Sequence, residues 1–133
     1  GNYLNNIMAL LEARKSGDYE AIMCDRDGLI AEGSSSNVFW VREGKLLTPN
    51  LAVGLLAGIT RQRVLELAGE LGIAVEEGRF APESLQGADE AFLTSSIRGV
   101  LPIAAVDGVG LSAGAPGPKT RLLLGAYDAF LEA

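Results

Sequence analysis

Histidine is absent from this 133-residue chain. That removes His-based catalytic triads, histidine general bases and most zinc sites at once. Cysteine is nearly absent too: Cys24 stands alone, so no internal disulfide can form, which fits a reducing compartment. Basic residues are outnumbered, 11 against 17 acidic ones, giving a net charge of −6. This argues against a nucleic-acid or anionic-membrane surface, while leaving room for a local basic pocket. No apolar run reaches the length of a membrane span and no signal peptide is visible, so a cytoplasmic protein is expected. The chain opens on Gly1-Asn2-Tyr3-Leu4, not on Met, and the natural N-terminus is expected to lie upstream.

What is present suits one globular domain spanning residues 1–133: 48% apolar and 21% charged residues. Tyr3–Ser16 is predicted helical, because Leu4, Ile7, Met8 and Leu11 recur at helical spacing, with Gly17-Asp18 as the stop. Glu20–Cys24 predicts a buried strand, Asp25-Arg26-Asp27-Gly28 a turn, and Leu29–Glu32 a return strand. Asn37–Arg42 and Lys45–Thr48 predict two strands joined at Glu43-Gly44, with Phe39 and Trp40 on opposite faces and one of them in the core. A loop from Pro49 to Gly58 leads to a helix over Thr60–Leu71, closed by Gly72. Then follow a strand at Ile73–Glu77, a helical turn at Ala81–Leu85 and a strand at Asp89–Thr94. Val100–Val106 is extended but broken by Pro102, Asp107–Pro118 is loop, and Pro118–Leu131 is the final helix. Strands mixed with helices and hairpins imply an α/β, or mixed α+β, fold with a mixed sheet.

Three constellations can carry chemistry. Gly58-Ile59-Thr60-Arg61 places a glycine and a hydroxyl at a helix start, where free amides favour an anion; the plainer alternative is Thr60 as an N-cap. Glu32-Gly33-Ser34-Ser35-Ser36-Asn37 sets a carboxylate at a strand end before small residues that let a ligand approach, or is a polar turn with a solvated glutamate. Thr94-Ser95-Ser96-Ile97-Arg98-Gly99 offers hydroxyls and an arginine for phosphate or carboxylate, or is an exposed loop. Asp25, Asp27, Glu76 and Glu77 lack the rest of a calcium loop, so no metal is expected. Cys24 sits in an apolar run without a neighbouring base and is expected to be inert.

In order along the chain, Asn2-Tyr3-Leu4-Asn5-Asn6, Glu32 to Phe39, Gly58 to Arg61, Ala88-Asp89-Glu90-Ala91-Phe92, Thr94 to Pro102 and Gly117-Pro118-Lys119-Thr120 resemble the class IV, or fold-type IV, aminotransferases. That family includes branched-chain and D-amino-acid aminotransferases and aminodeoxychorismate lyase. The resemblance spans essentially the whole chain. It implies the C-terminal, cofactor-binding domain of that fold, a mixed sheet or pseudo-barrel with flanking helices, using pyridoxal 5′-phosphate. By the same resemblance Glu32 pairs with the pyridine nitrogen and Tyr3 bonds the phenolic oxygen. Ile59 and Thr60 hold the phosphate through backbone and hydroxyl, and Ser96 adds a second contact. Leu56 packs on the ring, Ser35 lies close to it, and Ile97 and Arg98 meet the substrate carboxylate. The family's Schiff-base lysine is expected upstream of Gly1, and Lys15, Lys45 and Lys119 match no such position. The N-terminal domain is missing as well, so this chain alone is expected to be inactive.

The implied reaction is amino-group transfer between an amino acid, branched-chain or D-type, and a 2-oxo acid, in a protein expected to be a homodimer. Tyr3 leans towards the branched-chain branch, the Glu32–Asn37 run towards the D-amino-acid branch, and Ser95 to Val100 towards the lyase. A non-catalytic domain that binds an anion or a partner is the reading of another class.

Overall fold

Alternation along Asn37–Arg42 puts Phe39 and Val41 on one side and Val38 and Trp40 on the other, so this stretch needs apolar cover on both faces. The computed structural model provides it. The structure describes residues 7–13, 19–23, 37–50, 58–95 and 99–133, the first two ranges for their strand pairing alone. Its elements are β1 (Ile7–Ala13), β2 (Tyr19–Met23), β3 (Asn37–Arg42), β4 (Lys45–Pro49), α1 (Ile59–Glu70), β5 (Val75–Gly78), α2 (Pro82–Gln86), β6 (Glu90–Ser95), β7 (Gly99–Val106), β8 (Val109–Gly110) and α3 (Pro118–Glu132).

The strands make one mixed sheet in the order β2-β1-β7-β6-β3-β4-β5, with β8 paired to β7. All described pairings are antiparallel except β4–β5, where α1 is the crossover that a parallel neighbour requires. On one face Phe39, Val41 and Phe92 pack under α1 and α3, through Val64, Leu67, Ala68 and Leu123. On the other, Val38, Trp40 and Leu93 meet Leu85 of α2 with Ile103, Val106 and Leu111. Phe39 and Trp40 are therefore both fully buried, where one core residue was expected. Phe39 stacks on its cross-strand partner Phe92, ring centroids 4.9 Å apart. Truncating such a ring costs about 3–5 kcal/mol.

Three sequence expectations are corrected. Residues 7–13 form strand β1, not part of a helix. Ile7 to Leu11 is an unbroken apolar run, which satisfies helical and strand spacing equally, and pairing with β2 and β7 on either side decides for the strand. Pro102 does not break β7: it pairs with Phe92 within the β6–β7 register, next to Ile103, where the described pairing with β1 ends. The loop after β7 begins with a hairpin, since Asp107 and Gly108 both take positive φ (52° and 80°) and return the chain as β8. Glu43-Gly44 does the same between β3 and β4, as expected. Helix α1 closes where Gly72 was expected to close it: Ile73 N donates to Ala68 O at 2.9 Å and Gly72 N to Gly69 O at 3.2 Å.

Candidate functional site

The register brings the start of β3, the ends of β4, β5 and β6, and the start of β7 to one end of the sheet: Asn37 pairs with Thr94, Ser95 with Gly99, and Pro49 with Gly78. Helix α1 begins at that end. Its N-cap is Gly58 (φ 90°, ψ 120°), not Thr60, and no side chain caps it. A Cβ on Gly58 would come within 3.1 Å of Asn37 Nδ2, and its φ of +90° is one that L side chains rarely adopt, so glycine suits this position on both counts.

Two side chains fasten the first turn. The Thr60 hydroxyl, 2% exposed, donates to Ser95 O at 2.8 Å. Arg61 Nη2 donates to Pro49 O at 3.1 Å and to Glu77 Oε1 at 2.8 Å. Arg61 falls on the same helix face as Val64 and Ala68, which is why a guanidinium ends up buried here. Its charge is met by Glu77, so the pull on an anion at this point comes from the helix itself.

The first helical hydrogen bond is donated by Gln62 N to Gly58 O at 3.1 Å. The amides of Ile59, Thr60 and Arg61 precede it and sit where a helix leaves its donors unmatched. No acidic residue occupies the first turn. Ile59 is 83% exposed, so its own side chain does not pack over the end of the helix. Beside this turn Thr94 Oγ1 is fully buried with no hydrogen-bond partner among the described residues. Amides ahead of the first helical bond, together with the absence of acid from the first turn, make a donor set suited to a phosphate or carboxylate.

Of the residues singled out in the sequence, the structure places Ile59 and Thr60 together at this turn. The Thr60 hydroxyl, expected to hold the phosphate, is buried and donates its one proton to Ser95 O instead, which leaves only the Thr60 amide for an anion. Tyr3, Glu32, Ser35, Leu56, Ser96, Ile97 and Arg98 lie outside the described residues. By chain position, Glu32 and Ser35 lead into Asn37, Leu56 leads into Gly58, and Ser96 to Arg98 join Ser95 to Gly99. Arg61 stands in the sequence motif but receives no role there, although its place on the apolar face of α1 is a usable signal. Tyr127 has no such signal: its hydroxyl lies 3.2 Å from Thr60 Oγ1 across 67 positions of chain. Glu76 and Glu77 pair with Lys45 and Arg61, and no cluster of metal-binding side chains occurs among the described residues. Nor is any described helix long and apolar enough to cross a membrane.

Comparison with known proteins adds to this geometry. The chain is 40% identical over 127 residues to the branched-chain-amino-acid aminotransferase of Escherichia coli K12, covering 96% of this chain and 41% of that protein. It is 40% identical over 120 residues to the D-alanine aminotransferase of Bacillus licheniformis, covering 90% of this chain and 42% of that one. The chain thus spans about two fifths of the length of these relatives. Among solved structures, the branched-chain amino acid aminotransferase of Thermobaculum terrenum in its PLP form superposes with a TM-score of 0.80 at 43% identity, over 85% of this chain and 38% of that one. A putative branched-chain amino acid aminotransferase of Thermotoga maritima gives 0.78 at 42% identity, over 86% and 42%. The family model for amino-transferase class IV matches residues 1–106. An acid-free helix start at the converging strand ends, in a sequence that fits this model over most of its length, leads to one conclusion: the chain belongs to the class IV aminotransferases.

Proposed function

We propose that this chain is the cofactor-binding part of a pyridoxal-phosphate-dependent aminotransferase, which moves an amino group between an amino acid and a 2-oxo acid. The observation that carries the reading is the start of α1: three amides ahead of the first helical hydrogen bond, no acid in the first turn, and a position at the strand ends from which the other candidate segments continue. Pyridoxal 5′-phosphate, when bound, supplies an electron sink that makes the α-hydrogen of an amino acid removable. The reading assigns the Ile59 and Thr60 amides, with Ser96, to the phosphate. It assigns Glu32 to holding the pyridine nitrogen protonated, since a nearby carboxylate favours the cation. Tyr3, Ser35 and Leu56 are assigned to the ring and its phenolic oxygen, and Ile97 and Arg98 to the substrate carboxylate. The lysine that moves the α-proton is assigned to the segment ahead of Gly1.

Branched-chain amino acids are the favoured substrate class, because relatives and structural neighbours carry that name. D-alanine is the second reading, supported by the Bacillus licheniformis relative. We place the protein in the cytoplasm, in keeping with its single cysteine, and take it as a homodimer on the family resemblance alone. The test uses the full-length protein with pyridoxal phosphate, leucine, valine, isoleucine or D-alanine as donor, and 2-oxoglutarate as acceptor. Chromatography should show glutamate formed with the matching 2-oxo acid. Pyruvate released from aminodeoxychorismate without any transfer would turn the assignment to a lyase. Loss of nitrogen from none of these donors, with no binding of the cofactor, would sink it.

A further inference from the structure

A threonine hydroxyl carries one proton, and a carbonyl oxygen can only accept. Thr60 Oγ1 lies 2.8 Å from Ser95 O, so it donates there. Its 3.2 Å contact with the Tyr127 hydroxyl therefore runs the other way, with Tyr127 donating. Two hydroxyls in series join α3 to the first turn of α1, and that turn to the end of β6. The ring of Tyr127 makes a separate contact. A Cβ on Gly99 would lie 3.0 Å from Tyr127 Cε2, and Gly99 itself has φ +70°, so the ring sits against bare backbone. Ser95 and Gly99 are cross-strand partners and flank residues 96–98. One side chain of α3 thus reaches both flanks of that segment, one through Thr60 and the other through its ring.

Tyr127 lies beyond residues 1–106, the stretch that the family model matches. The geometry points to Tyr127 as a positioning residue that sets the phosphate-binding turn of α1 and steadies the flanks of residues 96–98. This rests on the cofactor reading given above. Backbone amides have no rotation of their own, so an anion site made of them is only as well placed as the turn that carries them. Thr60 is the side chain that fixes this turn to β6, and Tyr127 occupies an acceptor position on the same hydroxyl.

The experiment uses the full-length protein freed of cofactor, titrated separately with inorganic phosphate and with pyridoxal phosphate, and followed by calorimetry and thermal unfolding. Tyr127→Phe keeps the ring on Gly99 and deletes the hydroxyl. It is expected to unfold near the wild-type temperature and to bind both anions about three- to tenfold more weakly, the worth of one hydrogen bond. Thr60→Ser, which keeps a hydroxyl, should bind phosphate nearly as wild type does. Thr60→Val combined with Tyr127→Phe should lose no more affinity than Thr60→Val alone, because the two hydroxyls act as one unit. Unchanged phosphate affinity in Tyr127→Phe, or additive losses in the double variant, overturns the role of Tyr127. So does a Tyr127→Phe protein that no longer folds, since the hydroxyl would then be a stability element. A wild-type protein that binds neither anion overturns the cofactor reading, and this inference with it.

Discussion

Thr120 gives both its amide and its hydroxyl to one oxygen, Oε1 of Glu90, at 2.8 Å each. The other carboxylate oxygen accepts the Lys119 amide at 3.1 Å. The N-cap of α3 is Gly117, which has no side chain to satisfy these donors, so a glutamate from β6 caps the helix from across the core. Glu90 is 3% exposed, and its negative charge faces the positive end of the helix.

Glu90→Ala should therefore destabilise the protein by about 2–4 kcal/mol, as it strands buried donors that were bound to a charge. Glu90→Gln should cost less, about 1–2 kcal/mol, because its carbonyl oxygen still accepts from Thr120 while its NH2 faces the Lys119 amide. Urea unfolding of the two variants measures both. Equal losses would mean that the charge contributes nothing.

Gly117→Ala tests the same contact from the other side. The backbone at Gly117 is extended (φ −74°), so alanine meets no conformational strain there. Its Cβ would overlap Cγ and Cδ of Glu90. A cost of about 1–3 kcal/mol is expected. Most of it should vanish in a Glu90→Ala background, and a fully additive double variant would contradict the steric account.

Ile59→Pro separates the helix from the anion site. Ile59 is the first residue of α1 after its N-cap, where proline fits a helix because that amide makes no intrahelical bond. Stability without ligand should stay within about 0.5 kcal/mol of wild type. Phosphate at about 100 times its Kd should stabilise the wild type by about 2.7 kcal/mol. The variant, short of one amide, should need about tenfold more phosphate for the same gain in unfolding temperature. An unaltered phosphate requirement would remove the Ile59 amide from the site.

Arg61 and Glu77 should respond unequally. Arg61 is 5% exposed and bonded to Pro49 O as well, whereas the Glu77 side chain is 45% exposed. Arg61→Ala should cost about 2–3 kcal/mol, through lost packing and an unmet carbonyl. Glu77→Gln should cost less than about 1 kcal/mol, since water replaces much of what the carboxylate supplied. Chemical denaturation of both variants decides it.

Much of this molecule was legible in the sequence wherever local pattern and tertiary context agree. β3 and its turn, α1 with its Gly72 stop, and α3 opening on Pro118 all lie where patterning puts them. β1 was misread because an unbroken apolar run carries no period of its own, and only its two neighbouring strands distinguish a buried strand from a helix. The Asp107-Gly108 hairpin was readable from its turn residues and was passed over. At the site, the helix start at Gly58 to Thr60 is a local signal and was found. The direction of the Thr60 hydroxyl was not, because it is set by Ser95 and Tyr127, 35 and 67 positions away. Glu90 read as an ordinary strand residue, because nothing in its neighbourhood announces the helix it caps 30 positions later.

Helix α3 is gauged against β6 at two points, by Glu90 near one end of the strand and, through Thr60, by Ser95 at the other. Deleting a single residue between Thr120 and Tyr127 would turn everything beyond it by about 100° and draw it back by about 1.5 Å. One of the two anchors must then let go. The length of this stretch of α3 is therefore under a constraint that its own residues would never suggest.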